Sequence, residues 1–467
     1  DAGDARQAEE HGPAAAWLAM FRRSGALAPT RVRGRFAVIV VRPAQSEITA
    51  VTDRFGTWPI CYTETDEGLR VGERADDVAG ENPTISPQSL YDYLFFHVIP
   101  APATVFENVH RLPEAHLLEW RDGKSVCRPY WRPSFNEQSA SDLAGREAEF
   151  LELVETAVRQ EAAAGDVGAF LSGGTDSSTV AGMLCKVTGE AVKTYSMGFA
   201  AEGYDEMEYA RIASRHFGTD HHEYYVTPGD LHEGIPRVAR HYEQPFGNSS
   251  TVPAWICAER AKDDGIDKLL AGDGGDELFG GNERYARQLV FERYELLPQA
   301  LRRAALEPLL GLPGMDRVPL TRKAASYVQQ ARMGLPDRLH SYNLLLRIGA
   351  SNVLEPAFLE AVDTKAPFAV QRDWWDTIDA PSSLDRMLAF DWKYTLVDND
   401  LPKVIGATSM AGLDVGFPLL SDELVELATK LPPRWKLRGR ELRWFFKHAL
   451  RDFLPDAILT KEKHGFG

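Results

Sequence analysis

The residues with the clearest chemistry form the run Phe170-Leu171-Ser172-Gly173-Gly174-Thr175-Asp176-Ser177-Ser178. Val167, Ala169, Phe170 and Leu171 make an apolar stretch of the kind that fills a buried parallel strand. Val180, Met183, Leu184 and Val187 then recur at helical spacing, which predicts a helix over residues 177–186. A strand that ends in a Gly-rich turn at a helix N-terminus offers unpaired N–H groups, and the positive end of the helix dipole, to an anion. Gly173 and Gly174 let the backbone approach a phosphate closely. Ser172, Ser177 and Ser178 can add hydroxyl donors, and Asp176 can hold a magnesium ion that neutralises phosphates. The run lacks Gly-x-x-x-x-Gly-Lys-Ser/Thr, so it is not a Walker-type loop.

A second run, Leu269-Leu270-Ala271-Gly272-Asp273-Gly274-Gly275-Asp276-Glu277-Leu278-Phe279-Gly280-Gly281, again takes a strand into a Gly-rich loop, this one acidic. Strand ends in an open parallel sheet are where ligands gather. Asp273, Asp276 and Glu277 repel one another and favour a bound cation or a raised pKa. Asp276 is placed to share magnesium with Asp176, and Asp273 to contact substrate or move a proton. The competing reading is an acidic, solvated turn. Finding both loops on one predicted sheet edge argues against it.

The elements that must carry these loops follow from the apolar pattern. Residues 1 to about 130 read as short strands between turns: a buried strand at 35–41, its hairpin partner at 48–52, and further strands at 60–63 and 69–71. Helices are expected at 14–24 and 89–97, and the polar stretch 133–142 reads as a linker. From Leu143 strands and helices alternate. Strands at 192–199, 222–226 and 268–271, with a helix at 206–217 between them, predict a parallel, doubly wound α/β sheet. Past Tyr285 the chain reads as largely helical to its last residue.

Composition bounds the function. The 467 residues suit two or three domains, and 26% charged with 44% hydrophobic residues is ordinary for a soluble globular chain. A net charge of −16 argues against a nucleic-acid footprint. Cys61, Cys127, Cys185 and Cys257 lie far apart with no metal spacing and read as thiols in a reducing compartment. No run of 18 apolar residues, signal peptide or basic amphipathic anchor is present, so no membrane partner and a cytoplasmic location are expected. His221 and His222 lack a third ligand at useful spacing and read as strand-edge residues.

The first loop resembles the pyrophosphatase-type ATP loop, and the two loops together resemble the glutamine-hydrolysing asparagine synthetases and their relatives. Supporting matches are Tyr195-Ser196-Met197-Gly198-Phe199, Tyr204-Asp205-Glu206, Gly218-Thr219-Asp220-His221-His222-Glu223 and Tyr242-Glu243-Gln244-Pro245-Phe246. Phe453-Leu454-Pro455 and Lys461-Glu462-Lys463-His464-Gly465-Phe466 look like the family's C-terminal block. Gly34-Arg35-Phe36-Ala37, Asp53-Arg54-Phe55-Gly56 and Leu112-Pro113-Glu114-Ala115-His116 look like its glutaminase domain. The resemblance implies an Ntn-hydrolase-like, glutaminase-type α+β domain over residues 1–135. It implies an ATP-dependent synthetase domain over 143–467, a doubly wound parallel sheet with a helical C-terminal part. It further implies an ATP site at Leu171, Ser172, Gly173, Gly174, Asp176, Ser177 and Ser178, with Met197 and Gly272 near adenine and ribose. Magnesium would sit at Asp176 and Asp276. Asp273 would face the reacting acyl group, and Arg443 and Lys447 would stand at catalytic positions, Arg443 with a cation for pyrophosphate. A small-molecule or peptide carboxylate would be the acceptor, glutamine, ammonia or an amine the nitrogen donor, and a homodimer is an allowed assembly.

Several positions depart from that pattern. Glutaminases of this type use an N-terminal cysteine, whereas this chain starts at Asp1 and its first matching block corresponds to the middle of that domain. Either an N-terminal portion lies outside this chain or the domain never hydrolysed glutamine. Ile405-Gly406 stands where Asp-Arg is common, Gly416 and Ser421 replace an Arg and an Asp, Arg443 replaces a catalytic Lys, and Lys447 the Arg after it. The alternatives are therefore a glutamine-independent amide ligase of the β-lactam synthetase or lasso-cyclase type, and a non-catalytic nucleotide-binding partner.

Overall fold

The structure is a computed structural model and describes residues 8, 10–137, 141–163, 165–199, 206–295, 298, 302, 327, 328, 330–340 and 343–461. Tyr204, Asp205 and the block 462–466 lie outside the described residues, as does much of the segment past Tyr285.

The N-terminal part is a layered stack. Helix α1 (Pro13–Ser24) lies on a four-stranded antiparallel sheet of order β1-β2-β6-β7, built from β1 (Ala37–Arg42), β2 (Glu47–Thr52), β6 (His116–Arg121) and β7 (Lys124–Pro129). A three-stranded antiparallel sheet, β4-β3-β5, packs on its other face, with β3 (Cys61–Thr65), β4 (Gly68–Gly72) and β5 (His110–Arg111). Period-2 alternation sets the layers. Val51 and Leu117 point to Met20 and Phe21 of α1, while Ala50 and Leu118 meet Ile60, Tyr62 and Leu112. The first strand departs from the expectation of a buried one: Ile39 is 46% and Val41 58% exposed. It is an edge strand, and the smaller sheet does not reach beneath it. Helix α2 (Pro87–Phe96) follows β4.

The stretch expected as a free linker is seated on the second part. Phe135 N–H donates to Asp379 O at 3.1 Å and Asn136 N–H to Thr429 O at 3.2 Å, with Phe135 buried against Trp392. One apolar ring anchors a polar stretch. A second tie between the parts is ionic. Lys393 Nζ lies 3.0 Å from Glu114 and 3.2 Å from Asp398, all three buried.

The second part is a five-stranded, all-parallel sheet of order β10-β9-β8-β11-β12. Its strands are β8 (Val167–Phe170), β9 (Lys193–Phe199), β10 (Asp220–Val226), β11 (Lys268–Leu270) and β12 (Asp414–Gly416). Helices α3 (Leu143–Glu161), α4 (Thr175–Thr188) and α5 (Met207–Phe217) cover one face through Phe150, Val154, Val180, Leu184 and Ala210. Helix α6 (Thr251–Asp263) covers the other through Cys257 and Ala258. Helices α7 (Gly275–Phe279), α8 (Glu283–Glu295), α9 (Leu401–Met410) and α10 (Trp444–Ala449) complete the surroundings of the sheet edge. Helix α4 starts at Thr175, two residues before the expected 177, which puts Asp176 in its first turn. Strand β12 was not foreseen, since three residues ending in Gly carry no periodic signal. No helix among the described residues is long and apolar enough to cross a membrane. The four cysteines are free thiols, Cys61 and Cys257 buried, Cys185 partly so and Cys127 exposed.

Candidate active site

Strands β8 and β11 are hydrogen-bonded neighbours, with Ala169 opposite Leu270. Their C-terminal loops therefore emerge side by side, at the position where open parallel sheets bind ligands. In the first loop Gly173 has φ 70°, and an added Cβ would run into the backbone of Tyr209 and Ala210. Only glycine fits there. Gly174 caps α4 with no side-chain hydrogen bond, so the first-turn N–H groups stay uncapped and aimed at the cleft. Ser177 Oγ accepts from Ser172 N–H at 3.1 Å and lies 2.9 Å from Ser172 Oγ, which holds the loop in shape.

The two loops touch through glycines. A Cβ on Gly272 would come within 2.6 Å of Ser177 N, and one on Gly275 would overlap the Asp176 carboxylate. Asp176 and Asp276 converge on a single guanidinium. Arg443 Nη1 donates to Asp176 Oδ1 at 2.6 Å and Nη2 to Asp276 Oδ1. Behind them, Lys403 Nζ sits 3.0 Å from Asp400 and 3.8 Å from Asp273. Burial pushes the Asp273 carboxyl up to about 6, Lys403 opposing the shift and the Asp400 and Asp176 charges adding to it. Burial works against the Lys403 charge, and Asp400 with Asp273 more than offset it. Burial and the nearby Arg443 lower the half-buried Lys447, against the pull of Glu441.

These groups open onto a cleft of about 860 Å³. Of the residues singled out in the sequence, Ser172, Gly174, Asp176, Ser177, Asp276, Arg443 and Lys447 line it. Leu171, Gly173, Gly272 and Asp273 stand just behind the lining as loop framework or, for Asp273, as the partner of Lys403. Ser178 is fully buried, and its Oγ finds no hydrogen-bond partner among the described residues. Its hydroxyl is on the core side of α4. Met197 is half-buried between two apolar clusters of the sheet and is not part of the lining.

Sequence reasoning missed several lining residues. Asp400 holds Lys403, Glu206 pairs with Lys461 at 3.0 Å, and Asn248 Nδ2 donates to Asn399 Oδ1 at 2.8 Å. Glu206 and Lys461 stood in the matching blocks without a role, and their pairing across about 250 residues had no local signal. The structure also accounts for two departures. A Cβ on Gly416 would lie 2.6 Å from Glu161 Oε2, a carboxylate already engaged by Lys268, and 2.8 Å from Leu270 Cδ2, so any side chain there would displace both. A Cβ on Gly406 would overlap the Tyr242 hydroxyl, which donates to Pro402 O at 2.9 Å.

This geometry fits a nucleoside triphosphate, and Asp176 and Asp276 are the residues that would hold a metal with it. An uncapped helix N-terminus faces the cleft, hydroxyls flank it, and two carboxylates already share one cation. Magnesium is held by one or two carboxylates plus phosphates rather than by an all-protein cage. Among the described residues no cluster of three or more His, Cys, Asp or Glu is set up as such a cage.

Residues 149–467 match the family model described as asparagine synthase. The chain belongs to that family. Residues 6–131 match the glutamine amidotransferase domain. Among individual relatives, the glutamine-hydrolysing asparagine synthetase 1 of Bacillus subtilis (strain 168) is 24% identical over 461 residues, covering 96% of this chain and 70% of the relative. The protein named amidase chry2 of Gibberella zeae is 23% identical over 502 residues, covering 96% and 71%. Among solved structures, the NH3-dependent NAD synthetase of Campylobacter jejuni covers 40% of this chain and 97% of its own, at 10% identity and a TM-score of 0.22. The family carries ATP-dependent ligase chemistry with a glutamine amidotransferase domain, the class that the sequence resemblance implied.

Proposed function

We propose that this protein adenylates a carboxylate with ATP and joins the activated acyl group to ammonia, or to another amine, as an amide. The observation that carries the reading is the convergence of the Ser172–Ser177 turn and the Asp273–Glu277 loop on one cleft, with Asp176 and Asp276 on a shared cation. A carboxylate is a poor electrophile, and conversion to a mixed anhydride with AMP gives it a good leaving group. Residues 143–467 would form the synthetase domain. Residues 1–135 would form the glutaminase-type domain, with glutamine as the expected source of ammonia.

Within the synthetase cleft, Asp176 and Asp276 would hold Mg2+, which supplies positive charge for the departing pyrophosphate when bound. The first-turn N–H groups of α4 are already free to bind phosphate oxygens, and the hydroxyls of Ser172 and Ser177 would turn from each other to join them. Arg443 and Lys447 add cations on the same wall. Asp273, just behind the lining and beside Lys403, would take a proton from the attacking amine. The test is exchange of labelled pyrophosphate into ATP, run with a panel of carboxylates. Exchange that depends on one class of carboxylate supports the reading, and ATP binding with no exchange for any carboxylate sinks it.

The Asp273 carboxyl gives a pH prediction with a defined sign. As a base it must be ionised, so amide formation should rise through pH about 6. Asp273→Asn should lower the rate and remove that limb. Stability runs the other way. A carboxyl raised to about 6 in the fold favours its neutral form there, so its stabilising contribution is full at low pH and lost as pH rises through 6. Asp273→Asn is therefore expected to raise the thermal midpoint at pH 8 and to leave it near wild type at pH 4. A midpoint that falls equally at both pH values would contradict the burial argument.

A further inference from the structure

Arg443 occupies the place on which the metal reading depends. It caps α10 in a left-handed conformation, φ 54°, uncommon for a residue with a side chain. Its backbone N–H donates to Gly280 O at 3.2 Å, which ties it to the acidic loop. From there the 9% exposed side chain reaches Thr175 Oγ1, Asp176 Oδ1 and Asp276 Oδ1. Gly281 makes the approach possible, because a Cβ at that position would overlap both the Asp276 carboxylate and Arg443 Nε. Backbone strain, a glycine cradle and a forked donor all serve one contact.

A guanidinium on the Oδ1 atoms of Asp176 and Asp276 and a divalent cation on the same two atoms exclude each other. The arginine brings one charge to two anions, whereas the metal brings two and needs short oxygen contacts. We propose that Arg443 is a placeholder cation, neutralising Asp176 and Asp276 until a divalent metal takes their Oδ1 atoms, and then turning to the phosphates that arrive with it. The proposal rests on the assignment of those two acids to the metal. It implies that bare metal binds weakly and that metal enters together with nucleotide, whose phosphates give the displaced guanidinium a new partner. Lys447, one helical turn further on α10, has no ion-pair partner among the described residues and stays on the cleft wall in either arrangement.

The test is titration of the nucleotide-free protein with Mn2+, followed by electron paramagnetic resonance of the free ion and by thermal melts. Arg443→Met removes the charge at similar length. It is expected to bind Mn2+ at least tenfold more tightly than wild type, and Mn2+ should raise its melting midpoint far more than that of wild type. Arg443→Lys retains one charge without the fork and should fall between the two, which keeps the test open where the neutral variant folds poorly. Unchanged Mn2+ affinity in both variants would overturn the placeholder role. Tight Mn2+ binding that survives adding Asp276→Asn to Arg443→Met would instead overturn the metal assignment beneath it.

Discussion

Asp176→Asn is expected to lower carboxylate-dependent pyrophosphate exchange by about 10³-fold with the fold intact, the scale on which losing one preorganised electrostatic contact affects turnover. Asp176 sits in the first turn of α4 with its side chain 18% exposed, facing Arg443 rather than the core. The amide keeps the size and removes the charge. Among the described residues Asp176 and Asp276 are the carboxylates that converge on Arg443, so the amide leaves Asp276 alone there. Exchange measured beside a far-ultraviolet spectrum and a melt separates lost chemistry from lost structure. A variant that keeps exchange within tenfold of wild type would show that Asp176 does not act on the phosphates through a metal.

The largest effect on stability is expected from Asp385→Ala. Lys436 Nζ lies 2.6 Å from Asp385 Oδ1, and both side chains are completely buried. The ammonium also sits 4.9 Å over the ring of Phe135, the residue that seats the segment between the two parts. Removing one member of a buried ion pair leaves the other uncompensated and costs about 3–5 kcal/mol. Asp385 also accepts from Ser382 Oγ at 2.9 Å, so part of the loss is that contact at the helix start. Burial lowers the Lys436 pKa, Asp385 opposing it and Glu137 opposing it less, so Glu137 relieves part of the stranded charge. In the variant the fold favours neutral lysine while the unfolded chain still binds a proton up to about 10.5. The deficit should therefore shrink as pH rises towards 10. Adding Lys436→Met should recover much of the stability at neutral pH. A deficit that neither pH nor that second change relieves would place the cost in the lost contact with Ser382 rather than the stranded charge.

The sequence disclosed the site far better than its surroundings. The turn at Ser172–Ser177 and the loop at Asp273–Glu277 were legible because strand, glycines and helix follow one another locally, and anion chemistry needs that order. Their adjacency followed from parallel topology. What escaped was non-local. Glu206 with Lys461, and Glu114 with Lys393, pair residues more than 200 positions apart, which no periodicity encodes. Strand β12 escaped because it is three residues long and ends in the glycine that makes room for Glu161. Ile39 and Val41 were misjudged for a general reason: an apolar run marks a strand but does not say whether a second layer reaches it. Ser178 shows the limit of motif reading, since its neighbour Ser177 faces the cleft while its own side chain turns into the core.

The central claim is that the acceptor carboxylate attacks the α-phosphorus of ATP. It is tested most directly by labelling both carboxylate oxygens of an accepted substrate with 18O and analysing the nucleotide and phosphate products by mass spectrometry. One 18O atom should appear in AMP, with unlabelled pyrophosphate released alongside it. Label in inorganic phosphate, with ADP as the nucleotide product, would show activation by phosphorylation and contradict the account.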